Sequence, residues 1–291
     1  MSKVNGRESG RGVAVNIEYA VLLGIIQGLT EFLPVSSSGH LVIAQSFFKG
    51  FHQPGVLFDA VLHMGTTVGV IFFLRKEIYT LLKALIPTST CSVLPSDTYL
   101  AAVSAERETF RNIIIATLVT GVIGLSFKEE VEKLFAYPAI AAFMLVITGV
   151  LLFFAGRVRN VTREEKSITA IDAIIIGIAQ GVAIVPGISR SGTTIALGIF
   201  RGLAFETAAK FSFLLSVPAV MGALVLEARH ISVVPYSDIK FYVVGFAASA
   251  IVGFLSLKLL FFMLRRRRLE IFAYYCWAVG LSVLFLNGFI K

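Results

Sequence analysis

The sequence predicts an all-α polytopic membrane protein, with six crossing helices, two re-entrant helical hairpins and an inverted-topology repeat. Three observations carry that expectation. The 291 residues are 56% hydrophobic and only 15% charged, whereas soluble domains carry about 25% charged residues. Six apolar runs approach the roughly 20 residues that a crossing helix needs. Two further apolar runs are interrupted in the middle by Pro, Gly and Ser, and their interruptions match each other.

The crossing runs are 56–74, 112–127, 138–156, 207–227, 241–263 and 271–290. The run 78–86 is apolar but too short to cross, so it is placed at the interface. The stretch 88–110 is polar and reads as a loop. The interrupted runs, 17–48 and 171–200, read as hairpins: a helix in, an irregular turn at depth, a helix out. Irregular backbone at membrane depth is tolerated only under protein or beside a water-filled cavity. Each break therefore marks a buried polar site.

The net charge of +8 does not indicate nucleic-acid binding, because much of the Lys and Arg lies in short loops between apolar runs. Such loops report topology. With 264–270 (Arg265, Arg266, Arg267, Arg268) on the cytoplasmic side, 75–111 and 157–169 fall there too. They hold Arg75, Lys76, Lys83, Arg107, Arg111, Arg157, Arg159, Arg163 and Lys166, whereas the outside loops 128–137 and 228–240 hold two Lys or Arg each. Both termini then lie outside, which sets Lys3, Arg7 and Arg11 against the rule. The first 16 residues are polar, and the run after them lacks a small-residue cleavage site, so no signal peptide is read. Cys91 and Cys276 define no disulfide framework.

The chain reads as one integral membrane domain, 1–291, built of repeats at about 17–156 and 171–290. At an offset of 153, Gln27 meets Gln180, Gly28 meets Gly181, Ser36 meets Ser189, Ser38 meets Ser191 and Gly39 meets Gly192. Each half is one broken hairpin followed by three crossings. Three is odd, so the second half enters the membrane upside down, and inverted repeats of this kind place a shared site near the membrane interior.

The first break, "QGLTEFLPVSSSGHL", begins at Gln27. Gln27 and Glu31 are four apart and share a helix face. Pro34 ends that helix, Ser36, Ser37, Ser38 and Gly39 form the turn, and His40 follows. A carboxylate in a bilayer is expensive and points to function, although one at a helix end can also reach interfacial water. One of the serines serves as a helix cap. Ser, His and Glu together hold the parts of an activated nucleophile.

The second break, "QGVAIVPGISRSGTT", places Ser189, Arg190, Ser191, Gly192, Thr193 and Thr194 at a helix start. Backbone N–H groups there bind anions, and an arginine adds a planar fork suited to phosphate. Ser36, Ser38, Ser189, Arg190, Ser191 and Thr194 form the expected phosphate-binding set. An arginine at this depth needs Glu31 or a phosphate as partner; a purely structural Arg190–Glu31 pair is the plainer alternative. Asp59 and His63, again four apart, either line the same cavity or bond to broken backbone.

"QGLTEFLPVSSSGH" with "PGISRSGTT" resembles the undecaprenyl-diphosphatase family, also called the bacitracin-resistance phosphatases. The resemblance covers nearly the whole chain, including "HMGTT". It implies hydrolysis of undecaprenyl diphosphate to the monophosphate and inorganic phosphate. That step recycles the lipid carrier of cell-wall synthesis. The resemblance also implies a site on the outer face of the cytoplasmic membrane. Carried over, Glu31, Ser37, His40 and Arg190 match the family's catalytic positions, with Gln27, Ser36, Ser38, Ser189 and Thr194 beside them. Gln27 stands where many members have Glu. This matters for the divalent cation, Mg²⁺ or Ca²⁺, that the resemblance attaches to Glu31, because one carboxylate with amide and phosphate oxygens binds such ions weakly.

Ser37 is the expected nucleophile with His40 or Glu31 as base, and direct attack by His40 is the alternative. The expected partners are a polyprenyl diphosphate and membrane lipid, with a homodimer among the assemblies allowed. A second function class is a polyprenyl-phosphate transporter or flippase, since inverted repeats are a transporter architecture. A transporter needs the anion site but no nucleophile.

Overall fold

The computed structural model describes residues 17–47, 56–86, 97–159, 161–164, 167–227 and 238–289. The termini, Cys91 and most of the outside loop 228–240 lie outside these residues, so the expectations placed on them are not addressed. The described chain is helical throughout, apart from one isolated bridge between Arg163 and Leu203.

The first interrupted run forms α1 (Ile17–Phe32) and α2 (Ser37–Phe47). Pro34 lies in the turn between them, where a residue without an N–H cannot continue a helix. α3 (Val56–Phe73) and α4 (Arg75–Ala84) follow, bent by 75° where the apolar run gives way to Arg75, Lys76 and Glu77. Then come α5 (Asp97–Ser126), α6 (Lys128–Leu134) and α7 (Pro138–Gly156), the last with Pro138 in its first turn. The second interrupted run forms α8 (Ala170–Val182) and α9 (Arg190–Phe200). α10 (Phe205–Glu227), α11 (Ile239–Arg265) and α12 (Glu270–Phe289) complete the chain.

Among the described residues four helices are long and apolar enough to cross a membrane: α5 from Leu100, α7, α10 to Val225, and α11. The bent pair α3–α4 makes a fifth if taken as one span, and α12 is apolar but shorter. The protein is thus a multi-pass membrane protein. One expectation is corrected. Residues 97–110 are not a loop but the start of α5. Their Ala, Glu and Arg are good helix formers, and Arg107 Nε donates to the Ala84 carbonyl at 2.7 Å, closing the end of α4.

The two interrupted runs pack alike. α1 lies on α11, and α8 lies on α5. A Cβ on Gly24 would come within 2.7 Å of the Gly245 carbonyl oxygen, and one on Gly177 within 2.7 Å of that of Ala116. These glycines open the "GIIQG" and "GIAQG" stretches, and small residues at that spacing let membrane helices approach closely. Both turns carry the same cap. Gly39 N–H donates to Ser36 Oγ at 3.3 Å, and Gly192 N–H to Ser189 Oγ at 3.0 Å. The tips also touch each other, with Ser36 Oγ donating to the Ile188 carbonyl at 3.3 Å and Ser191 Oγ to that of Leu33 at 3.4 Å.

At the far end of the molecule Asp172 is fully buried. It accepts from Arg163 Nη2 and Arg201 Nε, both at 2.7 Å. It also closes a capping box with Thr169. This network ties Arg163 and Thr169 to the start of α8 and, through Arg201, to the end of α9.

Candidate active site

Glu31 sits in the last turn of α1, Ser37 opens α2 and Arg190 opens α9. The touching tips bring all three together. Glu31 Oε1 accepts from Arg190 Nη2 in an ion pair whose side chains are 5% and 19% exposed. Glu31 Oε2 accepts from Ser37 Oγ at 2.6 Å and from Gln27 Nε2 at 2.8 Å. Gln27 is one helical turn before Glu31 and wholly buried. His63, from α3, places Nδ1 2.9 Å from Gln27 Nε2 and 3.4 Å from Glu31 Oε2. Ser36 takes a left-handed φ of 67°, unusual for a residue other than Gly, so that the chain can reverse in so few residues.

These groups face a cavity of about 520 Å³. Glu31, Ser36, Ser37, Ser38, Asp59, His63, Ser189 and Arg190 line it, with apolar walls from Leu41, Val42, Ile184, Ile188, Val220 and Leu224. Arg190 Nη1 is buried and has no hydrogen-bond partner among the described residues. A buried guanidinium nitrogen without an acceptor is costly. The caps on α2 and α9 engage the N–H of the third residue of each helix, Gly39 and Gly192, and the N–H groups before it have no partner within the helix. The site thus combines a guanidinium nitrogen left over from an ion pair, two helix starts and a hydroxyl–carboxylate pair.

Three expected residues stand elsewhere. His40 does not line the cavity with Ser37. Its Nδ1–H donates to the Ser36 carbonyl at 2.8 Å, its Nε2 accepts from the Tyr275 hydroxyl at 2.9 Å, and its ring stacks on Tyr275. Ser191 and Thr194 do not line it either. Ser191 Oγ reaches the Leu33 carbonyl, and Thr194 Oγ1 bonds to the Arg190 carbonyl at 2.8 Å and to Ser212. Both hydroxyls are thus engaged by protein groups, one across the contact between the tips and one within and beside α9. The residues present do not fit a protein-held Mg²⁺ or Ca²⁺ on Glu31. Both its oxygens are taken, one of them by a cation, and no three His, Cys, Asp or Glu converge among the described residues.

The model of the family described as bacitracin resistance protein BacA matches residues 20–282. The chain belongs to that family. A BacA-family relative from Syntrophotalea carbinolica, named undecaprenyl-diphosphatase, is 45% identical over 264 residues, covering 90% of this chain and 95% of that one. A protein of the same name from Desulfatibacillum aliphaticivorans is 42% identical over 273 residues, covering 92% and 97%. One from Carboxydothermus hydrogenoformans is 39% identical over 280 residues, covering 94% and 98%. Within this BacA-family chain the sequence reading missed Tyr275, which holds His40 from 235 residues away. Nothing in the spacing of either residue signals that contact. Gly24 and Gly177 did carry a signal, since they repeat at the same offset as the glutamines.

Proposed function

We propose that this protein hydrolyses undecaprenyl diphosphate to undecaprenyl phosphate and inorganic phosphate, which recycles the lipid carrier of cell-wall synthesis and underlies bacitracin resistance. The observation that carries this reading is the buried, unpartnered Nη1 of Arg190 beside the Ser37–Glu31 hydrogen bond. The first binds a phosphate and the second attacks it. The names of the relatives supply the lipid.

The chemistry follows from the contacts. Phosphoryl transfer needs positioning and charge stabilisation more than covalent machinery. Arg190 and the starts of α2 and α9 hold the terminal phosphate. Glu31 takes the proton of Ser37 as Oγ attacks phosphorus. The Ser37 Oγ–P bond forms, the bond to the bridging oxygen breaks, and undecaprenyl phosphate leaves. Water then attacks the phosphoserine, Glu31 mediates return of the proton to Ser37 Oγ, and inorganic phosphate departs. In this scheme His40 is a positioning residue that fixes the Ser36 backbone. Transport by the same cradle would need no hydroxyl–carboxylate pair, so the 2.6 Å Ser37–Glu31 contact favours hydrolysis.

Six crossings are proposed: α3, α5, α7, α10, α11 and α12. The pairs α1–α2 and α8–α9 enter as re-entrant hairpins from opposite faces, as inverted repeats of 17–156 and 171–290. Matched caps, matched glycine contacts and tip-to-tip bonds support this. The cavity lies towards the ends of α5 and α10 that are remote from Arg157, Arg163 and the 265–268 arginines. By the positive-inside rule it opens to the outer side of the cytoplasmic membrane. The test is phosphate release from undecaprenyl diphosphate by the purified protein. Turnover is expected, and its absence with a folded sample would refute the reading.

A further inference from the structure

We propose that His63 is a substrate-binding residue, a neutral imidazole whose Nε2–H donates to an oxygen of the bound lipid diphosphate. The inference rests on the diphosphatase reading of the cavity and adds a ligand contact to it.

Gln27 bridges Glu31 and His63. Its amide has one nitrogen, a donor, and one oxygen, an acceptor. The neighbours decide which is which. Glu31 pairs with Arg190 and is a carboxylate, so it only accepts. The Gln27 atom 2.8 Å from Glu31 Oε2 must therefore be the nitrogen. That same nitrogen is 2.9 Å from His63 Nδ1. A nitrogen with two hydrogens can serve both neighbours, and it then donates to Nδ1. A donor facing Nδ1 means that Nδ1 carries no proton, so the proton of the neutral ring is on Nε2.

Nε2 has no protein partner among the described residues, and His63 lines the same cavity as Arg190, Ser37 and Asp59. The His63 side chain is 31% exposed, on the cavity's wall. Glu31 thus fixes Gln27, Gln27 fixes the tautomer of His63, and the tautomer points a donor at the space where the diphosphate binds. A ring nitrogen set by the bond its partner nitrogen makes is the usual way proteins assign histidine roles. The chain uses its buried glutamine to hold a donor in place, so that a phosphate oxygen meets a group with no reorganisation left to do.

A primary amide has an acceptor and a donor spaced much like the two nitrogens of imidazole. His63→Gln can accept from Gln27 and still donate into the cavity, whereas His63→Leu can do neither. The experiment measures KM and kcat for undecaprenyl diphosphate, and inhibition by inorganic pyrophosphate, with purified wild type, His63→Gln and His63→Leu. His63→Leu is expected to raise KM and the pyrophosphate inhibition constant about tenfold, the size of one lost hydrogen bond to a charged group. His63→Gln should stay within about threefold of wild type, well inside what that hydrogen bond is worth. A wild-type KM in His63→Leu would overturn the proposal. So would a His63→Gln enzyme as impaired as His63→Leu. A ¹⁵N spectrum of labelled wild-type protein tests the tautomer without any variant. Nε2–H is expected for the His63 ring, and Nδ1–H or a doubly protonated ring would refute the assignment. Failure of wild type to turn over the lipid would instead count against the diphosphatase reading itself.

Discussion

The Glu31 carboxylate and the Arg190 guanidinium, 159 residues apart in the chain, form an ion pair where two broken helical segments touch. Neither charge is tolerable in this environment alone. Each half of the chain supplies one, so the site exists only when both halves are folded together. The pair leaves one guanidinium nitrogen over, and in the proposed function that nitrogen meets the phosphate.

Arg190→Lys retains the charge but loses the fork. A lysine that pairs with Glu31 has no second arm for the ligand. Phosphate release should fall about 10- to 100-fold. Wild-type turnover of this variant would remove Arg190 from the phosphate site.

Glu31→Gln keeps the shape and removes the base. Turnover should drop by roughly two to three orders of magnitude, the range of a lost general base. The change also leaves Arg190 without its counter-charge, which lowers thermal stability. Millimolar inorganic phosphate should recover part of that stability by occupying the cradle. Melting curves with and without phosphate read this out, and a variant indifferent to phosphate would contradict the anion site.

Gln27→Glu sets a second carboxylate against Glu31. Two such groups in contact hold a proton or a cation between them. Millimolar Mg²⁺ or Ca²⁺ should then raise the melting temperature of Gln27→Glu and leave that of wild type unchanged. A variant whose melting temperature ignores both ions would mean that a carboxylate at position 27 does not complete a cation site.

Much of this arrangement was legible in the sequence because its cost is legible. A carboxylate, an arginine and two turns inside apolar runs can be reconciled only if they meet. The helices α3, α7, α10, α11 and α12 follow directly from their apolar runs. The start of α5 was not legible, since hydropathy sees only the polarity of residues 97–110 and not their helix propensity. The position of His40 was not legible either. Its distance from Glu31 in sequence suggested a shared cavity, but the ring turns the other way to reach Tyr275 on α12. Ser191 and Thr194 look like ligand hydroxyls in sequence, yet Thr194 bonds back to its own helix's carbonyls, as Ser and Thr inside a helix do, and Ser191 reaches the Leu33 carbonyl across the contact between the tips.

Topology is open to direct measurement. With Cys91→Ser and Cys276→Ala as background, single cysteines at Ser2 and Asn287 should both react with an impermeant reagent in intact cells. Reaction at one alone would mean that one of the two hairpins crosses the bilayer.

The most direct test of the central claim is Ser37→Ala in the phosphate-release assay on undecaprenyl diphosphate. Ser37 Oγ lies 2.6 Å from the Glu31 oxygen that would take its proton. Losing the nucleophile should reduce turnover by about three orders of magnitude or more, while the folded protein and its pyrophosphate binding persist. Turnover within a few-fold of wild type would show that the attacking group is not Ser37, and the account of the site built on the Ser37–Glu31 pair would fail.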